Sequence, residues 1–398
     1  MRERTVNGAI LLIVVILITG ASTGLKADTG SCDGQSITLP FTDVLNTNIF
    51  FCSIAEAYFS GLTNGTTSTT YSPAANVTRE QMSAFVTRTM DQSVKRGSKR
   101  AALNQYWTTQ APDNLALTEV GDFPTYPQSD GADVWIGNIP GHVSRVRGSD
   151  GKVIDTWTGA TSAYGVLCAM GMIFVTGYTN PGNLYQIDPT MPGGAVITLS
   201  SSLGDFPTGI AYDGRRIWTA NGGESVSIIT LNPTAVTNVS TGFTSPHGVV
   251  YDGANIWVTD DISGSVDKLR KLDSSGVILL SVDVGAVPQV PVFDGTNIWV
   301  PNHLSDTVSV VRAIGLLEGT VLATLSGNGL ANPVAAAFDG ERILVTNQTG
   351  NRVSLWRASD FTPIGTFSTG AATIPFGVCS DGVNFWITLN GSYKLARF

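Results

Sequence analysis

The side chains best suited to chemistry in this 398-residue chain are its three histidines, His142, His247 and His303. An imidazole has an ordinary pKa of about 6.5, so beside a carboxylate it can exchange protons near neutral pH. The sequence contains no Ser-His-Asp order and no GxSxG, HExxH or phosphate-loop motif. The candidates for catalysis are therefore His247 and His303, and acid–base chemistry is what they would supply.

A second set of polar residues recurs at one position of a repeated segment, three residues beyond a bulky apolar residue. Its members are Asn138, Asn221, Asp260, Asn302 and Asn347. Polar groups gathered around an opening can bind a ligand. Asn and Asp at strand ends also stabilise turns by bonding to nearby backbone. The sequence leaves both interpretations open.

The repeated segment predicts the elements that must position these residues. "YDGANIWVTDD" at Tyr251–Asp261 is written again, with variations, as "YDGRRIWTANG", "FDGTNIWVPNH", "FDGERILVTNQ" and "SDGVNFWITLN". Each copy reads as a strand, an Asp-Gly turn and a strand running back. The bulky residues are spaced by 39, 44, 39, 42, 45 and 42 positions: Trp135, Phe174, Trp218, Trp257, Trp299, Leu344 and Trp386.

This period predicts a mainly β chain that folds as a seven-bladed β-propeller over residues 113–398. The low charged fraction, 14%, and the 44 glycines agree with a turn-rich β protein. The last repeat ends at Phe398 after three strands. An open strand edge would remain, so we expect residues 115–120, before the first repeat, to supply the missing strand and close the ring.

Alternating strand directions place the loops between second and third strands on the same face as the loops between blades. All three histidines fall on or near this face, as do three carboxylates, Glu224, Asp261 and Asp306. We call this face the mouth. The sequence predicts that a ligand site, if the ring has one, lies there.

The repeat resembles the YVTN-type propellers of exported bacterial proteins, on the segments "IWVTDDISGSVDKL", "ILVTNQTGNRVSLW" and "IWVPNHLSDTVSVV". The resemblance implies the fold; such propellers serve as binding modules, lyases and hydrolases alike. A site of His247, His303 and nearby carboxylates would be similar to that of the propeller lyases related to virginiamycin B lyase.

The N-terminus predicts export. Two arginines precede an apolar run from Ala9 to Ile18, which is too short for a membrane span of about 20 residues and is typical of a secretory signal at residues 1–27. We expect a secreted or cell-surface protein with no transmembrane segment after cleavage. The net charge of −8 and pI near 4.9 argue against a nucleic-acid partner.

Residues 28–100 predict a small module with two helices, joined by a linker at 101–112 to the ring. Apolar residues around Phe50 to Tyr58 and around Met82 to Met90 have helical spacing. The second helix opens with a capping box, Thr78 to Gln81. Cys32 and Cys52 bracket a short segment and are candidates for a disulfide, while Cys168 and Cys379 read as buried thiols.

This module resembles a single S-layer homology (SLH) module, on "FTDV", "GLTNG" and "YSPAANVTREQMSAFVTR". The resemblance implies binding to acidic or pyruvylated cell-wall polysaccharide through Thr78, Arg79 and Asp43. The alternative is that Thr78 is only a helix cap and Arg79 a solvated charge.

These observations favour an exported bacterial envelope protein in which the SLH-like module binds surface polysaccharide and the propeller presents a face to a protein or small molecule. The alternative is a propeller lyase or hydrolase. No cluster of metal ligands and no cofactor motif occurs in the sequence, so we expect neither a metal nor a cofactor.

Overall fold

The computed structural model describes residues 27–32, 35–59, 63, 65–79, 81–83, 116–262 and 266–398. The predicted signal, apart from Ala27, and the predicted linker at 101–112 lie outside these residues. The chain divides into two compact units, Met1–Lys99 and Arg100–Phe398, which are described separately. No helix in the described residues is both long and apolar enough to cross a membrane.

The first unit contains a hairpin of β1 (Thr29–Cys32) and β2 (Gln35–Thr38) and the helix α1 (Phe51–Phe59). A disulfide joins Cys32 to Cys52, as expected, with 5.6 Å between the Cα atoms. A small core lies beneath the helix: Leu39, Phe41, Val44, Phe51, Ile54 and Ala55. The second predicted helix is described only at Arg79 and Gln81–Ser83, so the two-helix module is seen only in part.

The second unit is a seven-bladed β-propeller, as the period predicted. Within residues 116–262 and 266–398, the strands form seven four-stranded antiparallel sheets. Blades 1 to 3, from inner to outer strand, are β4 Pro124–Ser129, β5 Asp133–Asn138, β6 His142–Arg147, β7 Val153–Thr158; β8 Ala163–Ala169, β9 Met172–Gly177, β10 Gly182–Ile187, β11 Ile197–Leu203; β12 Pro207–Tyr212, β13 Ile217–Asn221, β14 Ser225–Thr230 and β15 Ala235–Val239.

The remaining blades follow the same order. They are β16 Pro246–Tyr251, β17 Ile256–Asp260, β18 Lys268–Leu272, β19 Ile278–Asp283; β20 Val292–Phe293, β21 Asn297–Asn302, β22 Thr307–Arg312, β23 Val321–Leu325; β24 Pro333–Phe338, β25 Arg342–Asn347, β26 Arg352–Arg357, β27 Pro363–Ser368; and β28 Pro375–Ser380, β29 Phe385–Leu389, β30 Lys394–Arg397 with β3 Ala116–Glu119.

The last blade closes the ring with a strand from before the first repeat. Strand β3 pairs antiparallel with β30, and Ala116 lies opposite Arg397 while Glu119 lies opposite Lys394. This is the pairing that the three-stranded final repeat led us to expect. The closure gives β30 a neighbour on each side and completes the fourth strand of this blade at the seam, where the two ends of the ring meet.

Where the repeat carries both the Asp-Gly turn and a tryptophan five positions on, the aspartate bonds that tryptophan. In five blades one carboxylate oxygen accepts a hydrogen bond of 2.7 to 2.8 Å from the tryptophan Nε1, and the other caps the turn. The pairs are Asp130–Trp135, Asp213–Trp218, Asp252–Trp257, Asp294–Trp299 and Asp381–Trp386. These five indoles are at most 1% exposed. The repeat therefore buries the aromatic ring and also gives its Nε1 a hydrogen-bond partner.

The two other blades lack this bond. In blade 6 the bulky residue, which we call the anchor of its blade, is Leu344. The Asp339 carboxylate there accepts from Arg342 Nε at 2.8 Å. In blade 2 a Met170-Gly171 turn precedes Phe174, which has no polar atom to satisfy. Both anchors are fully buried, which explains why the fold tolerates the departures.

Threonines on the second strands join neighbouring blades. Thr388 Oγ1 accepts from the Gly377 N–H of its own inner strand at 2.8 Å and donates to the Thr125 carbonyl of blade 1 at 2.7 Å. Thr259 and Thr346 make the same two bonds at their blade junctions. All three side chains are fully buried, so these hydroxyls satisfy backbone groups that water cannot reach.

We expect Asp252→Asn to lower the free energy of unfolding by about 1.5–3 kcal/mol. Asparagine has a single acceptor oxygen, so either the buried Trp257 Nε1 or the N–H groups of the turn lose their acceptor. Denaturant unfolding followed by tryptophan fluorescence measures the change. Asp188→Asn is the matched control, since that carboxylate bonds only within its own surface turn at Thr190. Equal losses in the two variants would contradict the prediction.

We expect Thr388→Val to cost about 1–3 kcal/mol, because it leaves the Gly377 N–H and the Thr125 carbonyl buried without partners at the seam. The same substitution at Thr237, an exposed residue of β15, controls for the change of side chain. Thermal unfolding of both variants checks it; a Thr388→Val midpoint no lower than that of Thr237→Val would show that the seam does not depend on this bridge.

Candidate functional site

Two sets of loops form the mouth: those between second and third strands and those between blades. A backbone hydrogen bond joins the two sets in every blade. The first residue after each second strand donates its N–H to a carbonyl of the loop before the inner strand, and in six blades the acceptor is the residue directly before that strand. The pairs are Ile139–Phe123, Tyr178–Ser162, Gly222–Phe206, Asp261–Ser245, His303–Val287, Gln348–Asn332 and Asn390–Ile374. The two loop sets therefore share one face, as the strand directions predicted.

The strand-end residues Asn138, Asn221, Asp260, Asn302 and Asn347 do not line an open surface. All five are 0% exposed. Each amide nitrogen bonds within its own blade, as Asn221 Nδ2 does to Ser225 and Ser227. The backbone covers them closely: a Cβ on Gly204 would lie 2.5 Å from Asn221 Nδ2. Their geometry favours the turn-stabilising interpretation over ligand binding.

Asp260 also stabilises the backbone around the end of its strand, but its side chain is charged. One oxygen accepts from the backbone N–H groups of Thr244 and Ser245, at 3.0 and 2.9 Å. The other accepts from Arg270 Nε at 2.8 Å. A fully buried carboxylate needs such a set of partners, and Arg270 neutralises its charge.

Two of the three histidines lie on neighbouring blades. His247 is the second residue of β16, and its Nδ1 is sealed from solvent with no partner among the described residues. Burial, and after it the nearby His303, lower the pKa of His247 to about 4. His247 is therefore a neutral imidazole at pH 7, close to a second imidazole.

His142 stands apart, on blade 1. A Cβ on Gly121 would lie 1.8 Å from its Nε2, so the ring packs directly on that glycine. Burial lowers the pKa of His142, and Asp122 opposes the shift. This histidine covers the blade-to-blade loop at the seam.

A carboxyl pair completes the polar side of the mouth. Asp267 accepts from the N–H groups of Ile262 and Val287, at 2.6 and 2.7 Å. Burial raises the pKa of Asp261, and repulsion by the Asp267 charge and a hydrogen bond donated to Asp267 raise it further. We call His247, His303, Asp261 and Asp267 the polar sector. Glu224 is exposed, and Asp306 accepts from the Asn332 N–H.

The polar sector has no complete catalytic arrangement. Among the described residues, neither His247 nor His303 hydrogen-bonds to a carboxylate, and no group of three or more His, Cys, Asp or Glu side chains could hold a metal ion. A base aligned with a nucleophile would be needed for acyl or glycosyl transfer. The geometry can instead accept and donate hydrogen bonds to a ligand in the mouth.

An aromatic sector, which the sequence analysis missed, covers the other side of the mouth. The Tyr178 and Phe206 rings lie 5.1 Å apart, and the Phe123 and Tyr393 rings 5.0 Å apart. These four rings are 37% to 47% exposed. The signal was the tetrapeptide GDFP, written at 121–124 and again at 204–207, which places Phe123 and Phe206 at equivalent sites.

In the first unit, the capping box forms as predicted. The Thr78 N–H donates to Gln81 Oε1 at 2.8 Å, and the Gln81 N–H donates to Thr78 Oγ1 at 3.2 Å. Arg79 is exposed beside this helix start. Asp43 accepts from the N–H groups of Tyr71 and Ser72, at 2.8 and 2.7 Å, so its carboxylate already stabilises a turn.

Comparison with known proteins supports the fold alone. No protein-family model and no curated protein sequence matches the chain. Among solved structures, it is similar to Kuenenia stuttgartiensis hydrazine synthase (TM-score 0.60, 17% identity, covering 71% of this chain and 97% of that one). It is also similar to the β-propeller domain of Myceliophteria thermophila Cps50 (Swd1), with TM-score 0.58, 8% identity and coverage of 71% and 99%.

A third similar structure is a computationally designed protein, Ika8, with TM-score 0.53, 10% identity and coverage of 69% of this chain and 83% of that one. A natural enzyme, a natural propeller domain and a designed protein thus share this architecture with the chain. The likeness identifies the second unit as a β-propeller.

We expect the stability of the protein to fall as pH drops from about 6.5 to 4, in part through His247. Over this window the unfolded chain binds a proton at the ordinary pKa of about 6.5, whereas folded His247, with its pKa near 4, does not. His247→Gln removes this contribution, so the variant should lose less stability than the parent over that range.

Denaturant unfolding at pH 7, 5.5 and 4 measures the difference between His247→Gln and the parent. NMR titration of the three imidazoles gives an independent value for the pKa of His247. A resonance of His247 that titrates near pH 6.5 would contradict the burial on which the prediction rests.

Proposed function

We propose that the protein is an exported component of a bacterial cell envelope whose propeller binds a ligand or partner at its mouth and whose N-terminal unit attaches it to surface polysaccharide. The observation that carries the binding proposal is the contrast within the repeat. The buried Asp, Trp and Thr residues recur around the ring, whereas the side chains exposed at the mouth differ from blade to blade.

The mouth offers two kinds of contact. The exposed pairs Tyr178–Phe206 and Phe123–Tyr393 present aromatic surface. Within the polar sector, the half-buried His303 and Asp261 add an imidazole and a carboxyl group. Aromatic surface supplies contact area, and a few polar groups fix orientation, which is the usual composition of a recognition site. This combination supports a ligand-binding scaffold.

Two features support export. The apolar run at 9–18 has the length of a secretory signal. The Cys32–Cys52 disulfide fixes α1 to the first hairpin, and structural disulfides persist in oxidising compartments outside the cytosol. The Cys32–Cys52 bond stabilises a unit whose described core is small.

For the N-terminal unit, we propose that Arg79 binds a carboxylate of an acidic wall polymer. Its guanidinium is exposed at the start of a helix capped by Thr78, and the helix N-terminus adds a positive dipole end. Thr78 contributes by fixing the cap, and Asp43 by fixing the turn at Tyr71.

We expect Arg79→Ala to reduce retention of the purified protein on isolated cell envelopes by about tenfold, because a charge-assisted hydrogen bond is lost. Arg215→Ala, at an exposed arginine of the propeller, is the matched control and should bind as the parent does. Retention of Arg79→Ala equal to that of Arg215→Ala would remove this role.

A second candidate, a lyase or hydrolase, is favoured by one observation: Asp261, with its raised pKa, lies in the same sector as the neutral His247. Thermal-shift screening of envelope glycans and small molecules would find ligands, since binding to the folded state raises its stability. Mass spectrometry then distinguishes the candidates. A cleaved ligand that His247→Gln and His303→Gln leave intact would indicate an enzyme.

A further inference from the structure

One aromatic pair of the mouth, Tyr178 and Phe206, lies at the junction of blades 2 and 3. Tyr178 belongs to the loop after β9, and Phe206 to the loop before β12. The two ring centroids are 5.1 Å apart and their planes are inclined at 42°, and the side chains are 40% and 37% exposed. The half-buried Tyr164 of β8 stacks on Tyr178 at 5.0 Å and holds that ring in place.

The backbone of Phe206 is strained. Its φ is 57°, in the left-handed region that a bulky side chain seldom adopts. Asn332 stands at the equivalent position before the inner strand of blade 6, with φ 48°, and asparagine tolerates this conformation better than phenylalanine does. A strained ring that stays exposed adds little to folding, so Phe206 is a candidate for recognition.

Two carboxylates lie beside this pair of rings. Asp205 directly precedes Phe206, and the Gly223 N–H donates to the Asp205 carbonyl at 3.0 Å, which brings Glu224 to the same two loops. Glu224 is exposed and Asp205 is half-buried, and neither carboxylate bonds a described residue. We call Tyr178, Phe206, Asp205 and Glu224 the blade 2–3 station.

The surrounding loops supply no countercharge. In the sequence, the mouth loops of the seven blades contain carboxylates and no Lys or Arg. The carboxylates are Asp122, Asp205, Glu224, Asp261, Asp267 and Asp306. The face of an aromatic ring attracts cations, and nearby carboxylates add to the same potential. An anion would be repelled here, and a neutral molecule would stack on the rings without using the charge.

We propose that the blade 2–3 station binds the ammonium group of a small organic cation. The inference rests on the ligand-binding function proposed for the mouth, and it names the class of ligand. The rings of Tyr178 and Phe206 contact the ammonium group, and Asp205 and Glu224 neutralise its charge.

The other exposed pair, Phe123 and Tyr393, provides a matched comparison. Phe123 lies in the same GDFP tetrapeptide and has a φ of 50°. However, Lys394 directly follows Tyr393 at the mouth end of β30, so a cation of the chain itself competes with a ligand there. We therefore expect the ligand at the blade 2–3 station and not at this pair.

The test uses two probes of nearly equal shape, choline and 3,3-dimethylbutan-1-ol, which has a carbon atom in place of the ammonium nitrogen. Saturation-transfer NMR titration of the full-length protein gives both dissociation constants. We expect choline to bind about fivefold more tightly, because only its ammonium group is attracted by the rings and the carboxylates.

Three variants locate the site. Phe206→Asn removes the ring and suits the left-handed backbone, so it should unfold at a temperature no lower than the parent and lose the preference for choline. Asp205→Asn should weaken choline binding about threefold and leave the alcohol unchanged. Phe123→Asn, the same substitution at the matched pair, should alter neither probe.

Equal affinity of the parent for the two probes, or no saturable binding of choline, would overturn the cation assignment. Equal losses in Phe206→Asn and Phe123→Asn would overturn the location. The function proposed for the mouth fails separately: a neutral ligand found by thermal-shift screening, whose binding Phe206→Asn weakens, would leave that function standing and remove only the cation.

Discussion

Circular closure is the constraint on which the rest of this propeller depends. The pairing of β3 with β30 joins residues near opposite ends of the unit, and the Thr388 bridge to the Thr125 carbonyl crosses the same seam. Each blade packs against two neighbours only if the ring shuts. The mouth exists because it does, since it is a space between blades and does not belong to one sheet.

Three residue types of the repeated segment have separate structural roles. The aspartate caps the turn and bonds the indole, the tryptophan fills the space between sheets, and the threonine connects neighbouring inner strands. Burial alone would raise the pKa of Asp130 and Asp213, but hydrogen bonds from the indole and the turn N–H groups lower it below the ordinary value. These carboxylates therefore stabilise the fold above about pH 4 and lose that contribution as the pH falls through their lowered pKa values.

Most polar residues of the repeat stabilise the fold and are not available to a ligand. The five strand-end residues predicted to ring the mouth are buried, and each bonds within its own blade, although the Oδ1 atoms of Asn138 and Asn302 have no partner among the described residues. The residues that remain available for function are those that the repeat does not need, which are the polar sector on blades 4 and 5 and the exposed aromatic pairs. None of these residues recurs at all seven equivalent positions.

The sequence by itself determined the blade number, the positions of the buried bulky residues and the closing strand, because each follows from the periodicity and from the three strands of the final repeat. It also pointed to the Cys32–Cys52 pair and to the Thr78 cap, which are local in the chain. Only the tertiary structure decided which polar groups are buried. Packing of the blades buries His247 and Asp261, and this burial is the largest cause of their shifted pKa values. Tyr126 meets Phe376 across the seam. Such contacts depend on distances between blades, and spacing along the chain does not encode them.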